Sequence, residues 1–134
     1  MIKVTDLMIN DWVSINGSIF QVKDIKKNGV IKLYYSTNYG EHEVDFNSDY
    51  LEEFLQPISL TKEILEKNGF EGDVYLWINV GDEKTLEYYP FEHRLSLYYT
   101  EEKNQELLYR CQCFHVHEFQ HALKLYGIEK EIVL

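Results

Sequence analysis

The chain has 134 residues, 45% of them apolar, which suffices for one compact domain or two very small ones sharing a core. Its formal net charge is −10, which disfavours a broad nucleic-acid-backbone or anionic-membrane role, since both need a basic surface. No apolar run approaches the roughly 18 residues of a membrane span, and the opening MIKVTDLMINDW lacks the apolar stretch of a secretory signal. Two cysteines, Cys111 and Cys113, form no disulfide framework. The expectation is a soluble, cytoplasmic protein.

Residues 1–57 read as a strand meander. Asn16-Gly17 and Asn28-Gly29 separate runs rich in Val, Ile, Tyr and Phe. Asn-Gly tolerates the two positive φ angles of a type I′ hairpin turn, so each pair predicts a hairpin. A further turn at Asn38-Tyr39-Gly40 leads into EHEVDF. There Glu41, Glu43 and Asp45 alternate with His42, Val44 and Phe46. Four short antiparallel strands so close together predict a small SH3-like barrel or curled sheet. Glu41 to Glu53 carries six acids and no Lys or Arg. A docking surface for a basic partner, or a mimic of nucleic-acid charge, would use such a run. A solvated strand face followed by a loop would show the same run, and is the plainer reading.

Residues 58–134 read as an α-β-β-β-α unit sharing an interface with the first. After Pro57, Thr61 is a candidate N-cap, Lys62 to Lys67 a short helix, and Asn68-Gly69 its stop. VYLWINV, TLEYY and HRLSLYYT then predict a second antiparallel meander. The chain has 11 tyrosines, and Tyr34, Tyr35, Tyr75, Tyr88, Tyr89, Tyr98 and Tyr99 fall on predicted strands. They suit an aromatic binding face for a peptide, sugar or base, and equally a strand surface with one apolar and one wet side.

From about Leu107 to Tyr126 the apolar spacing predicts one long helix, beginning in the polar residues 101–106. Leu108, Phe119, Leu123 and Tyr126 form its main face, with His115 and Ala122 beside them. Leu107, Phe114 and Leu125 form a second strip. Gly127 ends the helix, and residues 131–134 are read as a terminal strand. The fold class is thus α+β, with two small antiparallel meanders and a long C-terminal packing helix.

Within that helix His117-Glu118-Phe119-Gln120-His121 matches HExxH. Residues four apart share a helix face, so both imidazoles can reach one Zn²⁺, and the Glu can act as general base on a metal-bound water. Three features oppose a zinc peptidase. Lys124 and Gly127 stand where the extended HExxHxxGxxH form needs Gly and His. The other common form needs a downstream Glu on a second helix, and Glu129 and Glu131 have no room for one. The wheel also places Arg110 and Lys124 beside the two histidines. Cys113, four residues before His117 on the same stripe, would complete a looser three-ligand metal set. His115 reads as a packed core histidine, and His42 and His93 sit in strand contexts with no evident partner. Cys111 and Cys113, two apart on a helix, point different ways and make no redox pair.

The order VTDLMINDWV, Asn-Gly hairpins, QPISLTKEILEKNGF, a Tyr- and Trp-rich meander and HVHEFQHALKLYG resembles a family of short uncharacterised proteins from Bacteroidetes genomes, their phages and mobile elements. The resemblance spans nearly the full chain. It implies His and a following acid or amide at His117 and Glu118, with Asn in some members at His121, so that a second ligand is not a fixed feature. It carries no activity. The sequence therefore predicts a non-enzymatic protein without cofactor that contacts an unidentified protein partner, with self-association through an open sheet edge available. The alternatives are a zinc-dependent peptidase using His117, Glu118 and His121, and an acidic nucleic-acid mimic.

Overall fold

The structure, a computed structural model, describes residues 2–134. It is a mixed fold built on two antiparallel sheets of five strands each. Two compact units divide the chain, one ending at Ile58 and the other starting at Ser59. Among the described residues, no helix is long and apolar enough to cross a membrane.

In the first unit a 3-10 turn, Val4–Asp6, precedes β1 (Trp12–Ile15), β2 (Ser18–Ile25), β3 (Val30–Thr37), β4 (Gly40–Asn47), α1 (Ser48–Phe54) and β5 (Leu55–Gln56). The sheet order is β4-β3-β2-β1-β5. Asn16 and Gly17 have φ of 50° and 85°, as a type I′ turn requires. The Asn28-Gly29 turn is built differently. Gly29 N–H donates to Lys26 O, Lys26 N–H donates to Val30 O, and only Gly29 has positive φ, at 81°. That is a longer loop closed by a left-handed glycine, which splays the hairpin less than a bare type I turn would.

Register sorts the side chains by face. Ile31 lies opposite Phe46, Leu33 opposite Val44, and Tyr35 opposite His42. Val13, Ile15, Val22, Ile31, Leu33, Leu51 and Leu55 form the buried core. Glu41, Glu43 and Asp45 take the opposite, exposed face of β4. The acidic stretch does not then continue as a loop. Asn47 caps a helix, its side chain accepting the Asp49 N–H at 2.9 Å, and Leu51 of that helix is fully buried.

The second unit contains α2 (Lys62–Lys67), β6 (Glu71–Gly72), β7 (Leu76–Gly81), β8 (Lys84–Tyr89), β9 (Arg94–Glu101), β10 (Asn104–Gln112) and α3 (Val116–Leu125). Its sheet order is β10-β9-β8-β7-β6. Thr61 caps α2 by accepting the Ile64 N–H at 3.3 Å. Asn68 ends it and also holds the C-terminal segment, donating to Val133 O at 2.8 Å and accepting from Val133 N–H at 2.9 Å. The Lys67 ammonium donates to Leu134 O as well, so residues 131–134 are tethered by side chains of α2 and its C-cap and form no strand.

The long helix expected from Leu107 is the main correction. Residues 104–112 are a strand paired with β9, Glu106 opposite Tyr99 and Cys111 opposite Leu95. The polar residues 101–106 make the hairpin, with Glu102 at φ 51°. Helix α3 starts only at Val116. Its buried residues are Val116, Phe119, Gln120, Ala122 and Leu123, and Phe119 packs edge-on to Phe70. The second apolar strip does not exist as a buried surface: Leu107 is on the strand, and Leu125 is 77% exposed.

Candidate functional site

The HExxH residues lie in the first turns of α3, and their roles follow from where the helix begins. His115 is the N-cap, so Glu118 occupies the third helical position. There its carboxylate reaches back and accepts the His115 N–H at 3.0 Å and the Phe114 N–H at 3.2 Å. It also lies 2.7 Å from His115 Nδ1. These backbone donors have no intrahelical acceptor, and a carboxylate at the positive end of the helix satisfies them. Glu118 is thus a capping residue, and His115 is its half-exposed partner rather than a packed core histidine.

His117 and His121 do fall together, with ring centroids 5.7 Å apart and planes at 84°. His117 also stacks on His115 at 5.8 Å. Cys113 is not on their stripe. It lies in the segment between β10 and α3 and is buried. Arg110, expected beside them on the wheel, is on β10. Among the described residues no three His, Cys, Asp or Glu side chains converge as a metal-binding group. Two imidazoles with their intervening carboxylate committed to a helix cap do not fit a zinc-peptidase centre.

Cys113 instead belongs to a buried hydrogen-bonded cluster. The Tyr88 hydroxyl donates to Cys113 O at 2.9 Å and lies 3.4 Å from His93 Nδ1. Burial pushes the Tyr88 phenol up to about 12, with Cys113 and Glu118 adding to the effect. Burial likewise raises the Cys113 thiol, and the neighbouring Cys111 raises it further. His93 sits in the turn before β9 with φ 50°, tilted on Phe114 at 4.6 Å. His42 stacks on Tyr35 at 5.1 Å and lies 3.1 Å from Thr37 Oγ1.

The second sheet shows a further feature on the face away from Leu86, Tyr88, Leu95 and Leu97. Register places Trp77, Glu87, Ser96 and Arg110 in one row across β7, β8, β9 and β10. The neighbouring row pairs Tyr89 with Arg94. Arg94 lies over the Tyr89 ring at 4.5 Å, and Tyr75 stacks on that same ring at 5.3 Å. Arg110 donates to Ser96 Oγ at 3.1 Å and to the Tyr98 hydroxyl at 3.0 Å. The face thus carries one Trp, three Tyr and two Arg, and the tyrosines and arginines contact one another. Tyr75 is 40% exposed, and Arg110 is exposed. The tyrosines were visible in the sequence, but Arg110 was hidden by its assignment to a helix.

No family model matches the chain, and neither the curated proteins nor the solved structures contain a match to it.

Proposed function

We propose that the protein is a non-enzymatic recognition module that engages a protein partner through the outer face of its second sheet. The observation that carries this reading is the registered set of Trp77, Tyr89, Tyr98, Arg94 and Arg110, joined by Tyr75 stacked on Tyr89. Trp, Tyr and Arg are the residues that dominate binding energy at protein interfaces. Here the arginines are already stacked or hydrogen-bonded, so a partner meets a preformed surface and little side-chain entropy is lost. The capping role of Glu118 supports the non-enzymatic half of the reading.

The first unit supports a recognition role of its own. The strand order β4-β3-β2-β1-β5 fits an SH3-like meander, and the acidic residues of β4 and α1 suit a basic partner or a nucleic-acid mimic. The chain strings Pro57–Phe70 and His115–Gly127 support kinship with the short Bacteroidetes and phage proteins. A cytoplasmic, membrane-free setting accords with the acidic composition.

The test is partner capture from the native cell with Trp77→Ala and Arg110→Ala beside the unchanged protein. Loss of one specific partner in both variants, with unchanged melting, supports the proposal. Retention in both removes the face from the binding surface.

A further inference from the structure

Cys111 and Cys113 lie on the last turn of pleat of β10 and just beyond it. Residues two apart on a strand share a face, the reverse of what a helix would impose. Their sulfurs are 3.7 Å apart. Both cysteines are reduced, Cys111 half-buried and Cys113 buried. The Tyr126 hydroxyl donates to Cys111 Sγ at 2.9 Å, fixing that sulfur toward its neighbour.

We infer that Cys111 and Cys113 form a modification site, a dithiol that closes reversibly to an intrachain disulfide under a hydroperoxide oxidant. The order of events follows from exposure. Cys111 meets the reagent first, since Cys113 is 1% exposed. The Cys111 sulfur attacks one peroxide oxygen, the O–O bond breaks, and hydroxide leaves with the Cys111 thiol proton as water. The product is a sulfenic acid. The Cys113 sulfur then attacks the Cys111 sulfur. The S–S bond forms, the S–O bond breaks, and the second hydroxide leaves as water with the Cys113 proton. Two thiols are oxidised to one disulfide, and one hydrogen peroxide is reduced to two waters. Burial keeps Cys113 protonated and so spares it from direct attack on the peroxide; what brings it into the second step is its place 3.7 Å from the Cys111 sulfur.

The site also has a structural reader. Tyr126 stacks on Tyr109 at 5.2 Å and caps the C-terminus of α3. Drawing Cys111 toward Cys113 removes the sulfur from the Tyr126 hydroxyl, which keeps its longer bond to Leu95 O at 3.4 Å.

The experiment treats the full chain with hydrogen peroxide, unfolds it, alkylates free thiols and maps the peptides by mass. The expected result is a loss of the mass of two hydrogens, a linked Cys111–Cys113 peptide, no alkylation at either residue, and full reversal by dithiothreitol. In Cys113→Ser, Cys111 is expected to trap a sulfenic-acid probe. In Cys111→Ser, Cys113 is expected to stay unmodified. The inference is overturned if both thiols of the unchanged protein remain alkylatable, if Cys111 proceeds to sulfinic acid with Cys113 untouched, or if the disulfide joins two chains. These readings on the unchanged protein decide the matter even if a serine variant fails to fold.

Discussion

The carboxylate of Glu118 lies 2.7 Å from the Nδ1 of His115 and simultaneously accepts the backbone N–H of that same residue. One side chain therefore fixes both the start of α3 and the orientation of the imidazole that precedes it. Glu118→Ala is expected to destabilise the protein by about 1 kcal/mol, the usual worth of a helix cap. Amide exchange at Phe114 and His115 would accelerate together. A denaturant melt with no change, combined with unaltered exchange at those two amides, would refute the capping role.

The orientation of α3 gives a paired prediction. Phe119 is fully buried and Leu125 is 77% exposed. Phe119→Ala is expected to cost about 3–5 kcal/mol through lost burial and the cavity left behind. Leu125→Ala is expected to stay within about 0.5 kcal/mol of the unchanged protein. Equal losses in urea melts would mean that the helix packs by both strips.

Raised pH should weaken the second unit. Tyr88, Cys113 and Tyr126 hold their protons above the ordinary range because burial penalises their charged forms. The unfolded chain therefore releases these protons first as pH rises. Stability from these groups is complete below the unfolded values, 9.0 for the thiol and 10.0 for the phenols. It is lost as pH climbs toward the folded value, about 12 for Tyr88. The urea midpoint should accordingly fall through this alkaline range. A midpoint that is flat or rises there would contradict the burial of these groups.

Gly72 holds the chain where Tyr75 joins the aromatic face. Its φ is 128°, and an added Cβ would stand 2.1 Å from Tyr75 O. Gly72→Ala should cost at least about 1–3 kcal/mol of strain and shift the Tyr75 ring resonances. Gly17→Ala, with nothing within 4 Å, carries only the positive-φ penalty. Thermal melts of the two variants that fall equally would remove the close approach as the cause.

Much of the fold was legible where local chemistry and tertiary structure agree. Asn16-Gly17, Thr61 and Asn68 mark their boundaries because turn and cap geometry demand those residue types. Local pattern and structure part between Glu101 and His115. Leu107, Leu108, Glu106 and Arg110 favour helix locally, and the hairpin at Glu102 carries no glycine. Pairing with β9 overrides that preference, a long-range effect no local pattern records. The start of α3 was hidden because His115 is an unusual N-cap. In the local pattern strand and helix therefore merge into one, which places Cys113 and Arg110 with the histidines and conceals both the sulfur pair and the arginine row. The helix α1 was missed because its acids read as a solvated strand and loop, while its anchor, Leu51, is a single buried residue.

The most direct test of the recognition face is photo-crosslinking in the native cell. A benzophenone side chain replaces Tyr98 on the face, and in a second variant it replaces Leu125 on α3. The account predicts one discrete partner protein crosslinked from position 98 and none from position 125. Equal crosslinking from both positions, or none from position 98 in a folded protein, would contradict it.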